Sequence, residues 1–404
     1  MAIIGRMNTD EQIATELGDS QTATRRPRIA SAWELAKFPL TVFAVTRLGL
    51  YFVVSLSFIL LPTNPAADRI ANPLINGWAN WDGAWYRGIS QGGYQCDVMN
   101  AYDQRNLVFF PLFPLAMRAV TPLAHDSALA GLIVSNVAFL LALILLFQIT
   151  RARLGEAVAR RTIVLLAVFP FALFFSAVYT ESVALLTVVA AFFFGERRQW
   201  LLAGICAALA SASRLVGVLV VPALALLYLS QIGFDWRKIR PNILWLGLGV
   251  LGLGGYIAYL TALCGDTLLF VRSELVSGWM AGVDPGMALR VIQNAPAIAR
   301  VVGAEQRDLT VLLMHLLFAG AALVLAVLAW RLLPSAYALL ATLMVLGSMS
   351  NWTGMGRYMV IIFPLFMVAA ILLKNTRWYL AVAYVSALLM GLFAVIYTHA
   401  YWIG

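Results

Sequence analysis

Long apolar runs separated by short polar turns dominate the chain from Phe38 onward. The first, Phe38 to about Leu61, is long enough to cross a hydrocarbon layer of ~30 Å, for which about 20 helical residues suffice. Further runs of suitable length follow at about 127–150, 161–178, 181–195, 199–213, 215–231, 241–262, 309–330, 334–350, 358–373 and 378–398. The pattern predicts an all-α, polytopic membrane protein with about eleven transmembrane helices in a single domain over 38–404. Residues 1–37 are polar and of mixed charge. The apolar run behind them exceeds the roughly 7–15 residues of a secretory leader, so it reads as an uncleaved first helix behind a disordered cytoplasmic tail.

The connections alternate in character. Arg151/Arg153/Arg160/Arg161, Arg197/Arg198, Arg237/Lys238/Arg240, Arg331 and Lys374/Arg377 lie in short basic turns, which the positive-inside rule assigns to the cytoplasm. Two longer segments on the other side, about 62–126 and 263–308, mix acids and bases evenly. The run Leu107–Leu123 would invert every later turn if it were a full span. It holds Pro111, Pro114 and Pro122 with Arg118 at its centre, features of an irregular segment supported by neighbouring protein. Reading it as re-entrant or interfacial restores agreement and places the N-terminus inside and the C-terminus outside. The first outer segment then carries short interfacial helices.

Composition agrees. Of 404 residues, 62% are hydrophobic and 12% charged, against roughly 45–50% and about 25% in soluble domains, which excludes a soluble globular protein. The net charge of +9 reflects the orienting bias of the turns, and no stretch outside the membrane interleaves bases with aromatics as a nucleic-acid partner would need. Cys96, Cys206 and Cys264 have no CxxC spacing. Cys96 and Cys264 both fall in outer loops, but two unrelated small apolar residues is the simpler reading. The scattered His125, His315 and His399 form no metal motif.

Charged groups among so many apolar residues are the candidates for chemistry. The densest set is Asn80-Trp81-Asp82-Gly83-Ala84-Trp85-Tyr86-Arg87 in the first outer segment. The aromatics recur at helical spacing, as in an interfacial helix, yet that reading leaves the acid among them unexplained. A carboxylate walled by rings at the headgroup level suits a general base. Phe109-Phe110-Pro111-Leu112-Phe113-Pro114 is either an interfacial kink or the wall of a lipid-side groove, with Phe110, Pro111 and Phe113 as its lining. Glu181, in Tyr179-Thr180-Glu181-Ser182, reads equally as a helix-start acid favoured by the dipole and as a second active-site acid. Arg214 and Arg357 offer planar forks suited to two phosphate oxygens, against the alternative of snorkelling. The glycines beside Arg357 suggest close approach of a ligand to the backbone. Asp266, after Gly265, is a weaker candidate, because Gly-Asp is ordinary turn chemistry.

At these residues the sequence resembles the PIG-V-like mannosyltransferases of the GT-C class of integral-membrane glycosyltransferases. The motifs that carry it are Trp81-Asp82-Gly83-Ala84-Trp85-Tyr86 with Gly93-Tyr94, Phe109 to Leu115, Tyr179-Thr180-Glu181-Ser182, and Gly356-Arg357-Tyr358 before Phe363-Pro364. Where the family often has Arg-Pro-x-Gly, this chain reads Arg214-Leu215-Val216-Gly217. The resemblance implies a GT-C-like fold and transfer of mannose from a polyprenyl-phosphate-mannose donor to a glycolipid or glycan acceptor on the extracytoplasmic face. It implies Asp82 as the catalytic acid of the first outer loop. With a phosphate leaving group, one base and surrounding cations suffice, so Asp82 would accept the acceptor's proton with inversion while Arg214 and Arg357 stabilise the phosphate. Glu181 would orient the acceptor or raise the basicity of Asp82, and Trp81, Trp85, Tyr86, Arg87, Tyr179, Asp266 and Tyr358 complete the expected binding set. No cofactor is implied, and the residues do not decide metal dependence. Two competing classes are a secondary transporter of a small polar or anionic solute and a non-catalytic assembly subunit. Polar residues at one membrane rim favour the enzyme, and a central pocket favours transport.

Overall fold

The computed structural model describes residues 32–62, 72–97, 104–274, 304–349 and 354–403. Most of the N-terminal tail, Trp279 with most of the second outer segment, and Asn351–Thr353 lie outside these residues. The described residues are helical, with no strand among them. Helix α1 is Ala32–Leu60, α2 Asp82–Gly92, α3 Leu112–Ala124, α4 Ser127–Leu154, α5 Glu156–Ala167, α6 Glu181–Glu196 and α7 Trp200–Ser213. Then follow α8 Val220–Gln231, α9 Leu251–Cys264, α10 Ala304–Leu332, α11 Ser335–Ser348, α12 Phe363–Leu372 and α13 Thr376–Thr398.

Of the expected eleven spans, only some are single long helices among the described residues. Five helices among the described residues are long and apolar enough to cross a membrane, or six if one bent pair counts as a span. Other apolar runs fold as shorter helices, among them Leu112–Ala124, Trp200–Ser213, Leu215–Gln231 and Ser335–Ser348. The run 161–178 divides into α5, a 3₁₀ turn Pro170–Phe175 and an irregular stretch to Thr180, and the run 358–373 bends by 88° between Met355–Ile361 and α12. Helix α3 has 13 residues, too few to cross ~30 Å at 1.5 Å per residue. A left-handed His125 (φ 59°) ends it, and Asp126 then caps α4 by accepting the Leu129 amide at 2.8 Å.

Backbone that leaves a helix inside an apolar protein must find partners for its carbonyls. Arg47, buried at 2% exposure within α1, supplies several. Its Nη2 donates to the Ala167 carbonyl at 2.7 Å and its Nη1 to the Ala172 carbonyl at 2.8 Å. Ser135 donates to the Ala177 carbonyl and Ser182 to the Phe175 carbonyl. The Val178 amide donates to Trp78. The irregular stretch is thus fixed between α1, α4 and the segment leading into α2, and it delivers Tyr179, Thr180 and Glu181 to the start of α6.

Helix α7 is clamped by close backbone approach. A Cβ at Gly204 would lie 2.1 Å from the Trp245 carbonyl oxygen, and one at Gly252 would lie 2.0 Å from that of Ala208. Only glycine allows the segment Pro241–Cys264 to sit so near, the small-residue packing common between membrane helices. Gly217 has the same cause, since its Cβ would lie 2.0 Å from the Ala210 carbonyl oxygen. That accounts for the glycine of the Arg214-Leu215-Val216-Gly217 motif.

The basic turns gather at one end. Arg153 and the Tyr337 hydroxyl both reach Glu196, Arg161 donates to the Leu373 carbonyl at 3.1 Å, and Arg198 to that of Gln231 at 3.1 Å. At the other end Cys96 and Cys264 form a disulfide, with Cα atoms 5.6 Å apart and a sequence separation of 168. This corrects the expectation of two unrelated thiols. The turn after α2 and the C-terminus of α9 are brought together by the fold, a proximity that spacing alone does not reveal.

Candidate active site

Four charged side chains from distant parts of the sequence meet at the end opposite the basic turns. Asp82 is the first residue of α2 and Glu181 the first of α6, where the helix dipole favours a carboxylate. Arg214 follows the last residue of α7, and Arg357 lies in the short helix Met355–Tyr358. Arg357 Nη1 is 2.5 Å from Asp82 Oδ2. Arg214 Nη1 is 2.7 Å from Glu181 Oε1, and Arg357 Nε lies 3.6 Å from that same oxygen. Two acids and two bases therefore form one charge-balanced chain, Asp82–Arg357–Glu181–Arg214. Paired charges of this kind are the tolerable way to hold ions in an apolar setting.

Exposure differs along the chain. Glu181 is 1% accessible, whereas 24% of the Asp82 side chain remains open. Among the described residues Glu181 Oε2 is buried with no hydrogen-bond partner, an acceptor left unsatisfied inside the cluster. Aromatic rings form the walls. The Arg214 guanidinium lies 4.5 Å from the Tyr358 ring centroid, and that of Arg357 lies 5.2 Å from Tyr358 and 5.4 Å from Tyr179. Tyr86 packs on Tyr179 and Phe113.

Local folding explains the placement of Asp82. Trp81 precedes α2 with φ 55°, an uncommon conformation for a bulky residue that turns the chain sharply into the helix. The Tyr179 hydroxyl accepts the Asp82 amide at 3.2 Å and sits 3.4 Å from the Asn80 carbonyl. Asn80 Nδ2 donates to the Tyr397 carbonyl at 3.0 Å, and the Tyr397 hydroxyl lies 3.0 Å from the Asn80 carbonyl. The last long helix, α13, thus anchors the first motif.

Arg357 is held from behind by His315. The Gly356 amide donates to His315 Nδ1 at 3.1 Å, and His315 Nε2 lies 3.1 Å from the Ile403 carbonyl oxygen. An amide can only donate and a carbonyl only accept, so the ring carries its proton on Nε2. Sequence reasoning set His315 aside as a scattered histidine. Tyr397 and Arg47 were missed as well, because each acts through backbone atoms remote in sequence.

Other expected site residues have their described contacts elsewhere, or, like Trp81 beside Asp82, face outward. Asp266, two residues beyond Cys264, is bound to Arg272 at 2.8 Å, and no bond among the described residues ties it to the four charges. Arg87 turns to Ser127, with Nε 3.4 Å from its hydroxyl. Trp85 stacks on Phe109, and Trp81 is 45% exposed. The expected groove lining also differs. Phe110 and Phe113 are buried, Phe110 against Tyr256 and Phe113 against Tyr86, and Leu115 and Leu123 are the exposed apolar side chains of that segment. Space beside Gly356 is filled by the Phe171 ring, whose nearest atom would lie 2.3 Å from an added Cβ.

With this geometry in hand, likeness to known proteins becomes informative. Residues 110–261 match a family model described as dolichyl-phosphate-mannose-protein mannosyltransferase. Over 143 residues the chain is 30% identical to GPI mannosyltransferase 2 of Cryptococcus neoformans var. neoformans serotype D. Over these stretches the sequence is similar to mannosyltransferases. That stretch covers 34% of this chain and 34% of the fungal protein, so the chain spans about a third of the length of the curated relatives it matches. Among solved structures, the oligosaccharyltransferase of Archaeoglobus fulgidus in its apo form superposes with a TM-score of 0.44 at 14% identity, covering 91% of this chain and 56% of that one. ArnT from Cupriavidus metallidurans bound to undecaprenyl phosphate gives 0.41 at 12% identity, covering 83% and 78%. The family-model match begins at Phe110, so Asp82 lies N-terminal to it.

Proposed function

We propose that this chain transfers mannose from a polyprenyl-phosphate-mannose donor to a hydroxyl of a lipid-linked or surface glycan, at the extracytoplasmic face of a membrane. The observation that carries this reading is the meeting of Asp82, Glu181, Arg214 and Arg357, with the two ends of the chain, Asp82 and Arg214, partly open and the middle buried. The family description and the fungal relative's name both point to mannose, and the family description to a lipid-phosphate donor. The extracytoplasmic side is supported by the disulfide, which persists in oxidising compartments, and by the basic turns at the opposite end.

In this reading an arriving phosphodiester brings one negative charge into a cluster that is already neutral. It draws the Arg357 fork away from Asp82, because a phosphate offers that fork two oxygens. Asp82, released from its partner, accepts the proton of the acceptor hydroxyl. The hydroxyl oxygen attacks the anomeric carbon from the face opposite the phosphate, a new C–O bond forms, and the bond to the phosphate oxygen breaks with its electron pair leaving on the phosphate. Arg357 and Arg214 stabilise that growing charge. A single displacement inverts the anomeric configuration. Glu181 keeps Arg214 and Arg357 in place. The residues use arginines for the phosphate, and no cofactor enters the scheme.

The test is incubation of the purified protein with radiolabelled polyprenyl-phosphate mannose and a membrane lipid extract, followed by identification of the labelled product. Transfer with inverted anomeric configuration is expected. Transfer from a sugar nucleotide together with none from the lipid donor would overturn the proposal.

A further inference from the structure

A cavity of about 770 Å³ opens at the basic end of the molecule, where α7 begins and α8 ends. It is separated from Arg214 by the length of α7, about 21 Å for 14 residues at 1.5 Å each. Arg198, Arg237, Lys238 and Arg240 line it, with Trp200 and Tyr228 among the walls. Asp235, in the same turn as three of these cations, is engaged locally: Oδ1 accepts the Arg237 amide at 3.0 Å, and Oδ2 lies 3.4 Å from Lys238. Among the described residues neither Arg237 nor Arg240 has a carboxylate within ion-pair distance. Four cations thus share one concave site whose described lining holds no acid, an arrangement that a bound anion would relieve.

The walls are firmly built. Tyr228, buried at 3% exposure, accepts the Arg240 amide at 2.9 Å and lies 3.0 Å from Asn242 Oδ1. Its ring packs on Trp200 at 4.8 Å between centroids. Arg198 holds φ 58° and donates to the Gln231 carbonyl, and the turn Gly233–Phe234 is left-handed as well. Helix α7 enters the cavity at its N-terminus with no side-chain cap on its first amides, which adds donors and a favourable dipole for an anion. Beside the mouth, Phe234 is 55% and Trp236 72% exposed, the aromatic pair expected at headgroup level.

We propose that this cavity binds the phosphoryl group of an anionic membrane phospholipid, seated from the leaflet that faces the basic turns. Guanidiniums grip two phosphate oxygens, and Phe234 and Trp236 flank the path of the acyl chains. The exposed aromatics favour a lipid over a soluble phosphate, because a water-borne anion gains nothing from them. The inference is independent of the proposed transfer reaction.

The experiment uses the full chain, purified and delipidated, in zwitterionic phosphatidylcholine nanodiscs with and without phosphatidylglycerol. Native mass spectrometry counts retained lipid, and titration gives the affinity. Selective retention of phosphatidylglycerol is expected, and the Arg237→Gln/Arg240→Gln pair should weaken it about thirtyfold, the loss of two cations near a membrane surface. Arg331→Gln, in a different basic turn, should leave retention unchanged. Equal retention of the two lipids by the wild-type protein overturns the proposal and needs no variant to fold. So does equal retention of phosphatidylglycerol by the Arg237/Arg240 variant. A third arm adds inorganic phosphate. If it binds as tightly as the lipid and displaces it fully, the site belongs to a free phosphate and the lipid proposal fails.

Discussion

Replacing the Asp82 carboxylate by an amide preserves its shape and removes its ability to take a proton. Asp82→Asn should therefore leave a folded protein whose turnover falls about 10²–10⁴-fold, the usual cost of losing a general base. Activity within a few-fold of wild type, measured with the lipid donor, would remove Asp82 from the mechanism. His315 acts one step further back, as a positioning residue for Arg357 through the Gly356 amide. His315→Ala should raise KM for the donor more than it lowers kcat, because it loosens the phosphate-facing fork and leaves the base intact. His315→Asn, which keeps an acceptor near the Nδ1 position, should restore part of that loss. A matched loss of thermal stability in both variants with no KM effect would make the histidine merely structural. At this scale the sequence was legible wherever a charge stands among apolar neighbours: Asp82, Glu181, Arg214 and Arg357 declare themselves by the cost of being there. His315 and Tyr397 did not, since their partners are backbone atoms 41 and more residues away.

Helices positioned the site less legibly than residues did. Apolar runs show where helices lie, and the boundaries of α4, α7 and α13 follow the hydropathy closely. Hydropathy does not say whether a run crosses the membrane whole or breaks inside the protein. The stretch from Pro170 to Thr180 reads as helix by composition, yet it is bent out of helical form by bonds from Arg47, Ser135 and Ser182. Those partners come from other elements, so the period of the local sequence carries no trace of them. The glycine contacts of α7 yield a prediction of their own. Gly252→Val would force backbone apart at a contact already at its limit, and overpacking costs typically about 1–3 kcal/mol or more. The expected result is a lower melting temperature in detergent and reduced activity, whereas Gly254→Ala, with no atom within 4 Å, should be tolerated. Equal stability of the two variants would show that α7 and the Pro241–Cys264 segment are not locked together.

Across the whole molecule the two ends differ in charge and chemistry. Basic turns collect at one, and the balanced cluster with the disulfide lies at the other. A cysteine introduced as Thr267→Cys, near Cys264 in sequence, should react with a membrane-impermeant maleimide on intact cells. Phe234→Cys should react only after permeabilisation. The opposite pattern would turn the Asp82 cluster towards the cytosol and defeat the proposed reaction.

The bond between Cys96 and Cys264 also sets a timetable. Synthesis delivers the first thiol early and the second only after α3 to α9 have been made. Until then nothing covalent secures the turn behind the aspartate helix, and the ends of a tether 168 residues long must find each other by diffusion. A nascent chain stalled short of residue 264 would carry the motif but not its clasp.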